Sequence, residues 1–242
     1  MSIKKSTIIL LILSILMMTS CSPARESNVT PPDIHDNTIL RPEFELNTET
    51  FRAGTAFAIE MEDESLILTA YHLFGEAGGL EKEIPASDLP YVLKKVTFRD
   101  AYNDELCGEC EKVLKISDAD TSSTDKDIAA FYYGEKMDAN RLKLSSKLPK
   151  IGETVWLAAP TINDWETKLH KATVKSASNK RLIFEYEEED IILNATSGAP
   201  ILNASGEVVG LNIGGGKQYS KTIGVANPCT SIEKMIKKAL GD

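Results

Sequence analysis

The chain is poor in histidine, with three in 242 residues, and poor in cysteine, with four. So few imidazoles make the search for histidine-dependent chemistry short, and no Cys/His set accompanies them with the spacing of a metal site. A dense basic stretch is also missing, since Asp and Glu outnumber Lys and Arg by 36 to 27 for a net charge of −9. Such a surface cannot neutralise a run of phosphates, which argues against a nucleic-acid partner and favours weak repulsion from anionic lipid. The apolar run from Ile8 to Met18, broken only by Ser14, is too short to span a bilayer, and there is no internal repeat. What remains, 42% hydrophobic and 26% charged, is ordinary globular composition that can bury one large core or two small ones.

Residues 1–20 read as a signal peptide: Lys4 and Lys5, the apolar run, then Thr19 and Ser20 ahead of Cys21. The stretch Leu16-Met-Met-Thr-Ser-Cys21 resembles the lipobox of bacterial lipoproteins, which implies export and lipid attachment at Cys21. A plain secretory signal cleaved nearby is the other option. Residues 21–46 carry Pro23, Pro31, Pro32 and Pro42 with little apolar periodicity, and read as a tether that lifts a domain off a membrane. After Cys21 three cysteines remain, and the Cys107-Gly-Glu-Cys110 pair is expected to form a local disulfide at a hairpin tip.

From Phe51 onward short apolar runs alternate with Gly, Asn, Asp and charged clusters, the signature of an all-β barrel or sandwich. A linker over 140–151 divides the pattern into halves, an N-terminal β-barrel over 47–139 and a C-terminal one, with its helix, over 140–242. One helix is expected at the C-terminus, where Thr230 and Glu233 form a capping box and Ile232, Met235, Ile236 and Leu240 share a face.

Among the histidines, His35 falls in the proline-rich tether and His170 is expected at the surface. His72 ends the apolar segment Leu66-Ile-Leu-Thr-Ala-Tyr-His72, where a strand runs into small residues. Asp127 stands directly before the apolar Ile-Ala-Ala-Phe-Tyr-Tyr133, a place where an unpaired carboxylate is costly to bury. Asp125 is a competitor deeper in the polar loop. The segment Ala195-Thr-Ser197-Gly-Ala-Pro200 can make a tight turn that projects a hydroxyl and gathers backbone N–H groups. Taken alone, each of these also fits a structural role: a strand-end histidine, a strand-entry aspartate, a Ser-Gly turn.

Together, Gly54-Thr-Ala-Phe57, Leu68-Thr-Ala-Tyr-His72, Asp127-Ile-Ala129, Thr196-Ser-Gly-Ala-Pro-Ile-Leu-Asn203 and Gly206-Glu-Val-Val-Gly-Leu-Asn212 resemble the landmarks of trypsin-like serine peptidases, closest to the HtrA (DegP-like) branch. They occur in the order His, Asp, Ser, separated by 55 and 70 residues. The resemblance covers about Phe51 to Leu240. It implies two six-stranded antiparallel β-barrels of the chymotrypsin type with a C-terminal helix, a triad of His72, Asp127 and Ser197, and an oxyanion hole formed by the N–H groups of Ala195 and Ser197. It implies peptide-bond hydrolysis of polypeptide substrates, with no metal or other cofactor.

By position relative to Ser197, Ile191 and Ile192 are expected at the base of the primary specificity pocket, and Ile213, Gly214, Gly215 and Gly216 along its wall. An apolar pocket free of charge predicts cleavage after aliphatic or small aromatic residues, and the acidic run Glu187 to Asp190 is expected to disfavour acidic substrates. Two departures from the family pattern stand out. Ala195 occupies the usual glycine place, where a left-handed backbone strains an L-residue, and Thr196 stands where some members carry an aspartate. A protease-fold binding protein without turnover, or an anchored envelope-stress factor, is therefore the competing function. Oligomeric state has no signature in the chain.

Overall fold

A computed structural model describes residues 29–61 and 64–241. The signal segment 1–20 and Cys21 lie outside the described residues, as does the first part of the expected tether. The chain forms β1 (Ile39–Leu46), β2 (Thr50–Arg52), β3 (Ala56–Met61), β4 (Glu64–Thr69), α1 (Leu89–Val92), β5 (Leu93–Asp100), β6 (Leu106–Cys110), β7 (Val113–Leu114), β8 (Ala129–Tyr132) and β9 (Arg141–Lys143). It continues through β10 (Thr154–Ala158), β11 (Leu169–Ala177), β12 (Leu182–Tyr186), β13 (Pro200–Leu202), β14 (Val208–Gln218), β15 (Lys221–Pro228) and α2 (Cys229–Leu240). The fold is nearly all-β, as the sequence predicts, and agrees with a chymotrypsin-like architecture.

The second half closes as a six-stranded antiparallel barrel in the order β10-β11-β12-β15-β14-β13. The first half differs in detail. Its hydrogen-bonded path runs β6-β5-β1-β3-β4-β8-β7, with β2 added to β1 and β9 to β3, nine strands in all. Two expected boundaries move accordingly. Residues 39–46 are no tether: β1 buries Leu40, Phe44 and Leu46 and pairs with β5 from Leu40 to Leu46. Pro42 conceals this strand in the sequence, yet it sits where β1 passes from pairing β3 to pairing β2 and has no partner on that edge. Likewise Arg141–Lys143, expected in the linker, lies parallel to β3 of the first sheet.

Phe44, Phe74, Phe98 and Phe131 fill the first core, and Val155, Leu157, Phe184 and Tyr186 the second. A third cluster fills the seam between the halves, where Phe57, Leu68 and Leu73 meet Leu211 and, from α2, Ile232 and Ile236. The apolar face of α2 is thus as expected, but its capping box does not form. Pro228 is the N-cap, no side chain caps the helix, and Thr230 Oγ1 donates to Asn179 instead. The expected disulfide is also absent, because β6 extends the chain between Cys107 and Cys110 and both thiols stay free and buried. Three extended residues span about 10 Å, beyond what a disulfide's Cα atoms allow.

Candidate active site

Thr69 ends β4, and after Ala70 the chain tightens into a 3-10 turn, Tyr71–Phe74. Tyr71, Leu73 and Phe74 are buried by that turn, so His72 is the member left facing the cleft. Asp127, 2% exposed, follows a second 3-10 turn, Thr124–Lys126, and meets His72 twice. The His72 backbone N–H donates to Asp127 Oδ1 at 2.9 Å, and ring Nδ1 lies 2.7 Å from Oδ2. Two contacts on one carboxylate fix the ring's rotation as well as its distance, leaving Nε2 for chemistry. Asp125 is removed from the contest, since Lys180 and Ser123 hold it 3.0 and 2.5 Å away on another face.

Ser197 is delivered to the same place by a turn that few residues could make. Gly198 has φ +88°, and a Cβ there would lie 2.1 Å from the Thr55 carbonyl and 2.4 Å from Thr69 Oγ1. This close approach seats the turn against the end of β4, three residues before His72. Thr55 N–H donates to the Ser197 carbonyl at 2.8 Å, completing the clamp. Ser197 Oγ–H itself donates to the Ile213 carbonyl at 3.2 Å and is not hydrogen-bonded to His72.

Behind the turn, buried Asn212 donates its side-chain amide to Thr196 O and Thr196 Oγ1, both at 3.0 Å, while its backbone carbonyl receives Gly198 N–H at 2.7 Å. Thr196 N–H donates to Leu193 O. The amides of Ala195 and Ser197 make no hydrogen bond among the described residues, which is the state expected of two donors kept for an oxyanion. Ala195 has φ +65°, a left-handed conformation. For an L-residue that conformation costs about 1–2 kcal/mol. Its carbonyl, however, accepts from Arg41 Nη1 and from Thr55 Oγ1, both at 2.8 Å. A hydrogen bond to a charged group contributes about 1.5–3 kcal/mol, enough to offset the strain.

Arg41, Thr55 and Asn212 were not legible as site residues. Arg41 lies in the stretch that reads as tether, and the one usable signal for Asn212 is its polarity amid the apolar Val208-to-Ile213 run.

Beside Ser197 lies a groove of about 410 Å³ lined by Ile191, Ile192, Leu193, Asn194, Gly214, Gly215, Gly216, Lys217 and Thr222. Ile191 and Ile192 are both among its lining, Ile191 reaching also into the barrel core and Ile192 41% exposed, and Leu193, which approaches Gly215, joins them. Two expectations change here. Ile213 does not line the groove; its side chain packs in the seam and its carbonyl meets Ser197. Nor is the rim free of charge, because Lys217 reaches in, paired with Asp190 at 2.8 Å. Three members of the acidic run are paired with lysine, Glu187 with Lys171, Glu189 with Lys221 and Asp190 with Lys217, and Glu188 lies against the His170 ring. It offers little net repulsion. His170, expected at the surface, is 0% exposed, with Nδ1 3.0 Å from Glu188 and Nε2 3.1 Å from the Ala159 carbonyl. No His, Cys, Asp or Glu group among the described residues is arranged to hold a metal ion.

Comparison with known proteins supports the same assignment. The model of the trypsin-like peptidase domain matches residues 54–211, well over half of the chain. Similar solved structures include the active form of the Rv3671c protease from M. tuberculosis, with TM-score 0.57 and 13% identity over 90% of this chain and 93% of that one. The serine endoprotease from Yersinia pestis gives TM-score 0.58 and 16% identity over 85% of this chain and 64% of its own. The thermostable serine protease AL20 from an extremophilic microorganism gives 0.58 and 13% over 85% and 98%. No curated protein sequence matches the chain. With the peptidase model running from β3 into β14 and taking in His72, Asp127 and Ser197, the chain belongs to the trypsin-like peptidase family of serine proteases.

Proposed function

We propose that the protein is a serine endopeptidase of the bacterial cell envelope, working through His72, Asp127 and Ser197 and anchored by a lipid on Cys21. The observation that carries the catalytic part is the two-point contact of Asp127 with His72, 55 residues apart in sequence, opposite the strained turn that presents Ser197. In this mechanism His72 Nε2 takes the proton of Ser197 Oγ as the oxygen attacks a peptide carbonyl. The Ala195 and Ser197 N–H groups receive the developing oxyanion, and His72 returns the proton to the leaving amine. Water, deprotonated by the same imidazole, then hydrolyses the acyl ester and frees the serine. Asp127 holds Nδ1–H throughout, which keeps the tautomer correct and stabilises the charged ring.

The groove floored by Leu193 and Gly215 suits an aliphatic or small aromatic side chain, with Lys217 held at the edge. Export and lipidation rest on residues 1–21 alone, and envelope proteins are the substrates such an anchor would meet. Ala195 favours a second reading, a protease-fold binding module, since a Cβ at φ +65° strains the residue whose N–H would receive the oxyanion.

Hydrolysis of fluorogenic peptides separates the two. Val- or Leu-terminated substrates are expected to be cut and Arg-terminated ones spared. Ser197→Ala is expected to abolish turnover, and Asp127→Asn to lower kcat by about 10⁴-fold. Cleavage that survives Ser197→Ala, or no cleavage of any peptide by folded protein, contradicts the proposal. Localisation is checked by mass spectrometry of the membrane fraction, where Cys21→Ser is expected to release the protein.

A further inference from the structure

Arg41 stands on β1, in the first sheet, yet most of its hydrogen bonds gather around the turn that carries Ser197. Nη1 donates to Gly54 O at 3.0 Å, Thr55 Oγ1 at 3.2 Å and Ala195 O at 2.8 Å, and Nη2 to Pro160 O at 3.4 Å. The Trp165 ring covers the guanidinium at 5.5 Å. Every acceptor is a neutral oxygen, and no carboxylate pairs with Arg41 among the described residues. An arginine ordinarily placed to hold two surfaces together would be matched with a counter-ion when this much is withdrawn from water. Here the charge is spent on carbonyls, one of which belongs to the strained residue of the site.

We propose that Arg41 is a positioning residue for the oxyanion site: by holding the Ala195 carbonyl, it keeps Ala195 left-handed and its N–H turned toward the hole. The proposal rests on the serine-protease mechanism above. The Arg41 and Thr55 donors fix the Ala195 carbonyl and with it the Cα–C bond, so its disfavoured φ of +65° can change only by a complete turn-over of the 194–195 peptide. With the carbonyl released, the Cα–C bond can swing as well, the change is shared between the two peptides, and an L-alanine relaxes to negative φ with its N–H tilted away from the hole. A glycine at the same place has no such bias, because both signs of φ are open to it. Arg41 should therefore matter to catalysis only while residue 195 carries a Cβ.

That asymmetry gives the test. Wild type, Arg41→Met, Ala195→Gly and the double variant are compared by the rate of fluorophosphonate labelling and by kcat and KM on an apolar peptide, after melting curves establish that each is folded. Arg41→Met is expected to slow labelling and kcat about tenfold with KM nearly unchanged, and by no more than about twofold in the Ala195→Gly background. Arg41→Lys, which keeps the charge but loses the fork, is expected to show a smaller loss with the same rescue, and serves if Arg41→Met does not fold. Equal losses in both backgrounds would mean a tie that is merely structural, and no loss beside Ala195 would overturn the proposal outright. If neither wild type nor Ala195→Gly labels while both are folded, the protease mechanism itself fails, a result distinct from either of these.

Discussion

At the scale of single residues, the site is a contest between Ala195 and its surroundings. Ala195→Gly removes a strain of about 1–2 kcal/mol but restores backbone freedom to the unfolded chain, so the net gain in stability is expected to be no more than about 1 kcal/mol. Its effect on labelling should be larger than its effect on melting, because the strain sits on the donor that receives the oxyanion. A variant that melts higher yet labels more slowly would show that the alanine aids the chemistry. The scarcity of histidine made His72 legible, and the Ser-Gly turn made Ser197 so, but the partners that hold them were hidden. Thr55 and Thr69 look like ordinary strand residues until the fold packs the Gly198 turn against them and joins them by the Thr69 Oγ1 hydrogen bond to Thr55 O. His170 misled for the opposite reason: its loop-like sequence surroundings concealed two acceptors that only the folded barrel supplies.

Among the elements, α2 and β1 show how packing overrides local signals. The helix lacks the side-chain cap its sequence advertises, and is secured instead by Ile232 and Ile236 in the seam between the sheet and the barrel. Ile236→Ala is expected to destabilise the protein by about 2–5 kcal/mol, read as a lower denaturation midpoint, whereas Thr230→Ala should shift it by less than about 0.5 kcal/mol. Equal effects would restore the capping box to importance. In β1, the alternation of Leu40, Phe44 and Leu46 was present in the sequence, but Pro42 and its proline-rich neighbours outweighed it. The period-2 pattern was the better guide. Arg41 belongs to the same strand, and its proline-rich sequence context carries no sign of the partners that the fold brings to it.

For the whole molecule, fold class was readable because many short apolar runs with turn residues between them permit few architectures. Closure was not: nothing in the sequence distinguishes a six-stranded barrel from a nine-stranded sheet, since strand pairing depends on contacts far apart in the chain. The three buried thiols give the molecule a pH dependence of its own. Burial pushes Cys107 and Cys229 up to about 11 and Cys110 up to about 12, from an ordinary 9.0. A thiol whose pKa is raised by folding favours the native state fully below its unfolded pKa, and that contribution is lost as pH rises through the folded value. Melting temperature should therefore fall between about pH 9 and pH 12, less steeply once the three cysteines are replaced by alanine, and the thiols should resist alkylation in the native state. Rapid native alkylation at neutral pH would contradict this.

The most direct test of the central claim, that Ser197 is a nucleophile served by His72 and Asp127, is intact-mass analysis after a fluorophosphonate is added to the folded protein. One adduct per chain, located on Ser197, absent in Ser197→Ala and strongly slowed in His72→Ala, is the predicted result. An adduct that persists in Ser197→Ala, or none in folded wild type and Ala195→Gly alike, would contradict it.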